Sequence, residues 1–160
     1  GATVLLHPVN NPSAYGIAKT NKKNKILKIV EKPKKFLSNL AITGLYFFDN
    51  KVIKYSKNLK PSKRKEVEII DLLKKYLKNN KLKAEFIGRG GAWLDAGSIK
   101  DFYNTSSFVA AIENRQGLKI ACLEEISFNN NWISKKKMLD AIKFYGKCDY
   151  SKYLYSLINK

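Results

Sequence analysis

An α/β fold, a mixed sheet followed by a helical tail, is predicted by three observations. Short apolar runs bounded by turn residues fill the early part of the chain, as strands do. From Lys65 onward apolar residues recur at helical spacing, so the late part is mostly helical. With 160 residues and 44% hydrophobic content, the chain is one domain's worth and long enough to bury a sizeable core. Strands gathered early and helices late give an α/β or α+β layer arrangement.

Ala2 to Val9 reads as a short strand leading into a turn at Asn10-Asn11-Pro12-Ser13. Tyr15 to Thr20 and Ile26 to Glu31 form a hairpin across the polar loop Asn21 to Lys25. Leu40 to Phe48 is a strand with Gly44 at its centre, which marks a bulge or the close approach of another backbone or a ligand. From about Lys65 to Leu77, Val67, Ile70, Leu73, Tyr76 and Leu77 line one helix face, while Glu68 and Asp71 lie on a solvated face with lysines. Ala84 to Ile87 is a short strand, followed by the glycine-rich stretch Gly88-Arg89-Gly90-Gly91. Ser98 caps the next helix with Asp101 at the reciprocal capping-box position, and Gly117 stops it. Ser134 caps Lys135 to Phe144, and Tyr150 to Ile158 forms a last helix.

Composition excludes several function classes. The apolar runs are too short to cross a bilayer, and no basic-then-apolar leader opens the chain. The chain begins Gly1-Ala2-Thr3 without Met and already inside a strand, which reads as part of a longer protein. Cys122 and Cys148 lack zinc or redox spacing and read as incidental thiols of a reducing cytosol. His7, beside Pro8 at a strand end, reads as a surface or packing residue rather than a catalyst. The net charge of +18 raises a nucleic-acid hypothesis, but the lysines are spread over the whole chain rather than along one stripe. Of 31 basic residues only Arg64, Arg89 and Arg115 are arginine, and a planar bidentate fork is what Lys cannot replace.

Val30-Glu31-Lys32-Pro33 is the most informative stretch. Pro33 has no N–H for a ladder, so the strand ends there, and ligands of α/β proteins bind at strand ends. Glu31 and Lys32 would point to opposite faces while the strand persists. A hydroxyl-accepting carboxylate beside an ammonium suits a sugar phosphate. A surface Glu and Lys is the plain alternative. Asp95, between Trp93 and Gly97, is a candidate ligand for a hard cation, or else a turn residue capping the next helix.

Six segments in one order carry a resemblance. They are Tyr15-Gly16, Val30-Glu31-Lys32-Pro33, Thr43-Gly44-Leu45-Tyr46, Pro61-Ser62-x-Arg64-x-Glu66-x-Glu68-Ile69, Ala92-Trp93-Leu94-Asp95-x-Gly97 and Arg115-Gln116-Gly117-Leu118-Lys119. The series resembles glucose-1-phosphate thymidylyltransferase, the first enzyme of dTDP-rhamnose synthesis, from Gly1 nearly to the tail, where Tyr150-x-x-Tyr153-Leu154 also fits. The resemblance implies a Rossmann-like, mixed-sheet nucleotidyltransferase fold that joins dTTP and glucose 1-phosphate with Mg²⁺ and releases pyrophosphate. Tyr15, Gly16, Glu31, Lys32, Ile42, Tyr46 and Arg64 match the family's sugar-phosphate site. Glu31 would hold sugar hydroxyls, and Lys32 and Arg64 would act as the catalytic cations that neutralise phosphate. Asp95 matches one of two metal-binding aspartates.

Residues 1–100 would then be the sugar-phosphate-binding part and 101–160 a helical oligomerisation and regulatory region. The whole would be a cytoplasmic homo-oligomer, tetrameric as in the family, with no nucleic-acid or membrane partner. Three departures qualify the match. The family's N-terminal half, with its G-x-G-T-R-L-x-P phosphate loop and partner aspartate, has no counterpart in these 160 residues, so the chain alone should be inactive. Gly91, Ala96 and Ser98 differ from commoner family residues. The family's secondary nucleotide site resembles Arg89, Glu125 and Ile126, but Asn129 stands where an arginine is usual. A sugar-1-phosphate nucleotidyltransferase with another base, a basic nucleic-acid-binding module and an interface-only stub are the alternatives.

Overall fold

Alternate side chains of Ala2–Pro8 (β1) are buried, with Ala2, Val4 and Leu6 inside, as a strand lying on a core requires. The computed structural model describes residues 1–62 and 65–159. Within them β1 joins Gly16–Thr20 (β2), Ile26–Glu31 (β3), Leu40–Phe48 (β4) and Leu82–Phe86 (β5) in one sheet ordered β3-β2-β4-β1-β5. β1 and β5 run parallel, while the β1–β4, β2–β4 and β2–β3 pairs are antiparallel, so the sheet is mixed as the sequence predicts.

Gly44 does mark a bulge. The β1–β4 register passes from Val4↔Tyr46 to Leu6↔Ile42, so residues 43–45 face Leu5 alone. Gly44 takes φ +43°, and Thr43 Oγ1 donates to the Leu5 carbonyl at 3.2 Å. The other reading, a close approach at this glycine, is not seen, because a Cβ there would meet open space.

Between β4 and β5 the chain forms two helices, Lys51–Lys57 (α1) and Ile69–Lys78 (α2). α2 buries Ile70, Leu72, Leu73 and Tyr76 against Val4, Leu6, Ala18 and Ile29 of the sheet. It starts at Ile69 rather than near Lys65. Lys65 stands at φ +62°, and Glu68 is extended at φ −86°, ψ 132°, neither of which a helix accepts.

The chain divides into two compact units, Gly1–Trp93 and Leu94–Lys160. The second is helical: Ile99–Gln116 (α3), Leu123–Asn129 (α4), Lys135–Tyr145 (α5) and Asp149–Leu157 (α6). Ser98 Oγ accepts from the Asp101 N–H at 3.1 Å and donates to the Asp101 carboxylate at 2.6 Å, and Gly117 at φ +67° ends α3. Met138 and Leu154 centre a small core with Cys122 and Ile158. Tyr145 and Tyr150 both donate to Glu124, at 2.8 and 2.5 Å, and tie α4 to the last two helices. These bonds hold the Glu124 carboxyl below its usual range, the Tyr150 bond contributing most. Cys122 and Cys148 are free thiols.

Candidate functional site

The β2–β3 hairpin places the first pair of site residues. Gly16 stands opposite Glu31, and one further bond, from the Lys32 N–H to the Tyr15 carbonyl at 3.0 Å, closes the pairing. Beyond it the buried Pro33 turns the chain away, and Lys32 adopts φ +40°, which non-glycine residues rarely do. The change of backbone at Lys32 ends the strand alternation. Glu31 and Lys32 therefore line the same cleft, of about 280 Å³, rather than facing opposite ways. Ser62, Glu68, Ile70, Asp71 and Lys74 complete its lining.

Gly16 is required by space. A Cβ on it would lie 2.8 Å from Ile70 Cδ1 and 3.0 Å from the Glu31 carboxylate. Ile70 is fully enclosed and has nowhere to move, so Gly16→Ala must displace the Glu31 side chain or lift α2. We expect that variant to lose about 1–3 kcal/mol in urea unfolding. An unchanged urea midpoint would show that the contact yields freely.

Tyr46 is half-buried near Glu31. Burial first, and the Glu31 charge second, push its hydroxyl above the usual phenol range. Ile42 belongs to the sheet core at 6% exposure. Tyr15 meets Trp93 edge-on with ring centres 5.1 Å apart, and His7 lies 6.1 Å from the same indole. His7 packs against Trp93, yet its Nδ1 is shut from water and has no hydrogen-bond partner among the described residues.

The five other lining residues are not among the site residues read from the sequence. Glu68, placed by charge pattern on a solvated helix face, instead precedes α2 and accepts from Ser62 Oγ at 3.0 Å. Asp71 and Lys74 are ion-paired at 2.7 Å. The quoted Pro61-Ser62…Glu68 segment held the signal for Ser62 and Glu68, but no local pattern shows the two side chains meeting. Arg64 lies outside the described residues.

The remaining expected residues lie elsewhere. Asp95 is exposed, its backbone carbonyl taking the Thr105 hydroxyl at 3.3 Å. Among the described residues no cluster of three or more His, Cys, Asp or Glu side chains could hold a metal by itself. A lone carboxylate does fit the way Mg²⁺ is bound, by one or two carboxylates together with substrate phosphate. Arg89 is exposed in the turn closed by the Gly91 N–H to the Gly88 carbonyl at 2.9 Å. Glu125 accepts from Tyr153 Oη at 2.6 Å within the helical unit, beside the partly exposed Ile126.

Residues 1–112 match the nucleotidyl transferase family model. The chain belongs to that family. Over all 160 residues it is 42% identical to a glucose-1-phosphate thymidylyltransferase of Neisseria meningitidis serogroup A, covering 56% of that protein. It is 43% identical to one from Xanthomonas campestris pv. campestris, covering 54%. The chain thus spans little more than half the length of these relatives. Two solved structures agree in fold. One, from Bacillus anthracis, is assigned as a glucose-1-phosphate thymidylyltransferase and was crystallised with a sucrose. It is 41% identical at TM-score 0.60, with 68% of this chain and 43% of that one covered. The other, a UDP-glucose pyrophosphorylase complexed with UDP-glucose, is 26% identical at TM-score 0.59, with 66% and 43% covered.

Proposed function

We propose that this chain is the acceptor-binding part of a glucose-1-phosphate thymidylyltransferase. A phosphate oxygen of glucose 1-phosphate attacks the α-phosphorus of dTTP. The new P–O bond gives dTDP-glucose, a precursor for dTDP-rhamnose and polysaccharide synthesis, and the bond to pyrophosphate breaks. The observation that carries this reading is the identity of 42–43% across every residue of the chain to enzymes of that name. The cleft supports it: Glu31 and Lys32 share one wall, a hydroxyl acceptor beside an ammonium.

In this reading Glu31 takes sugar hydroxyls, while Lys32 and Arg64 screen the approach of two anionic phosphates. Tyr15, Gly16, Ile42 and Tyr46 shape the pocket around them. The attacking oxygen is already ionised, so no general base is needed. Asp95 would be one ligand of a Mg²⁺, which would supply further charge neutralisation at phosphate.

Residues 101–160, with Arg89, Glu125 and Ile126 nearby in role, serve self-association and nucleotide regulation. In support, α3 buries no side chain within its own unit and leaves Ile99 and Tyr103 exposed at 92% and 71%. The protein works in the cytoplasm as a homo-oligomer. No helix among the described residues is long and apolar enough to cross a membrane.

Pyrophosphate release by a full-length polypeptide containing this chain, with glucose 1-phosphate and each nucleoside triphosphate in turn, tests the proposal. We expect dTTP to be preferred and the 160-residue chain alone to be inactive. The fold shared with UDP-glucose pyrophosphorylase favours a second reading, in which the base is uracil. A preference for UTP would select it, and no release with any nucleotide would overturn both.

A further inference from the structure

We propose that the outer side of α5 and its flanks is a docking surface for an anionic phospholipid bilayer. Its lysines meet the headgroups, and Trp132 and Phe144 reach the acyl boundary. The inference is independent of the acceptor cleft, since every residue it uses lies in the helical unit.

α5 is covered on one side only. Met138, Ala141 and Ile142 pack into the small core together with Ile133. Lys136, Lys137, Leu139, Lys143 and Phe144 are exposed. Trp132, just ahead of the helix, and Phe144, near its end, are 72% and 83% exposed, with Leu139 at 43% between them. Exposed apolar side chains rimmed by charge mark an interaction surface.

Charge decides what that surface meets. Residues 132–147 carry five lysines and one acid, Asp140, while the rest of residues 94–160 carries five basic and six acidic side chains. The helical unit's positive charge is thus gathered on α5, although lysines are spread over the chain as a whole. Lys135 gives its ammonium to the Ile158 carbonyl at 3.0 Å, and Lys136, Lys137, Lys143 and Lys147 are exposed. A second copy of the chain is a poor occupant. A two-fold contact would set this face against itself, and each copy carries a net charge of +18. An anionic bilayer offers phosphate to the lysines and an apolar layer to the aromatic rings at once, as it does to helices that lie in its interface. Apolar runs too short to cross a bilayer count against spanning it, not against lying on it.

Flotation of the 160-residue chain with vesicles tests this, using phosphatidylcholine alone and phosphatidylcholine with phosphatidylglycerol at about three to one. Wild type should bind only the anionic vesicles, and its indole emission should move to shorter wavelength, a shift that Trp132→Ala removes. Lys136→Gln, Lys143→Gln and Lys147→Gln combined should weaken binding about 10²-fold, roughly fivefold per charge. The same change at Lys22, Lys23 and Lys25, exposed in the β2–β3 loop, should leave it within about twofold. Trp132→Ala with Phe144→Ala should weaken it about tenfold. If one set of variants loses the wild-type circular dichroism spectrum, the other carries the test. Equal losses from the two lysine sets would make the chain a diffuse polycation and overturn the proposal. Failure to bind the anionic vesicles would overturn it too. So would self-association in sedimentation that the two aromatic changes abolish, which would give this face to a second copy.

Discussion

Lys32→Gly should give a protein that melts at or above the wild-type temperature and has lost most of its activity. Lys32 holds φ +40° immediately before Pro33, which itself narrows the conformations open to the residue ahead of it. A side chain in the left-handed region costs roughly 1–2 kcal/mol, and glycine removes that cost while returning about 0.5–1 kcal/mol in backbone entropy. The substitution keeps the Lys32 N–H that donates to the Tyr15 carbonyl, so the hairpin end stays closed. What disappears is the ammonium that, on the proposed reading, meets the acceptor phosphate. In a full-length polypeptide, kcat/KM for glucose 1-phosphate should fall about 10²–10³-fold, the usual loss when one charge-stabilising donor is removed. Lys32→Ala should lose as much activity and melt below Lys32→Gly, since alanine keeps the strained Cβ. Calorimetric melting and initial rates on the three proteins check both halves. If Lys32→Gly kept wild-type rates, the ammonium would have no part in the reaction. If it melted well below wild type, the backbone there would not be strained. Opposed signs would mark a residue kept for function at a cost to the fold.

The same residue shows where sequence reasoning succeeds and where it stops. Pro33 announces the end of β3, and the short apolar runs of Ala2–Pro8 and Ile26–Glu31, bounded by turn residues, announce the strands themselves. Ser98 and Gly117 bound α3 for the same reason: caps are local chemistry. α1 leaves no such trace. Asn50 makes no side-chain cap, and the helix buries none of its residues, so no apolar stripe marks Lys51–Lys57. The alternation rule also sends Glu31 and Lys32 to opposite faces, and a single backbone angle at Lys32 brings both to one cleft. Glu68 was legible as a charge but not as part of that cleft. Its place depends on the turn in which the Ser62 N–H reaches the Glu66 carbonyl at 2.8 Å, which no periodicity encodes. Thr43-Gly44 lies between these cases. A central glycine in a strand signals an irregularity, but only the pairing with Leu5 tells a bulge from a close approach.

Tyr76→Ala should come close to unfolding the sheet unit. Tyr76 is 1% exposed, its ring 5.0 Å from that of Tyr55 and 5.6 Å from that of Phe48, so it links α1, α2 and β4. Removing a buried aromatic side chain costs about 3–5 kcal/mol, the lost transfer energy plus a cavity that tight packing cannot close. That is a large share of the roughly 5–15 kcal/mol of a whole domain. Tyr76→Phe separates the ring from the hydroxyl. It keeps the packing and loses only the bond from Tyr76 Oη to Asp49 Oδ1 at 2.9 Å. Asp49 is partly open to water, so solvent replaces that donor and the loss should be about 0.5–1.5 kcal/mol. Alkali should distinguish the two proteins further. Burial first, and then the Asp49 bond and charge, push the Tyr76 phenol up to about 12 from its ordinary 10. A raised folded-state value means that the fold favours the protonated form. Its contribution is complete below pH 10 and drains away as pH rises toward 12, because the unfolded phenol ionises first. Urea midpoints measured at neutral pH and near pH 11 should therefore fall more steeply in wild type than in Tyr76→Phe. Tyr46, also raised, is present in both proteins and cancels from the comparison. Equal slopes would mean that the Tyr76 proton does not couple to folding, and that its hydroxyl is held by geometry alone.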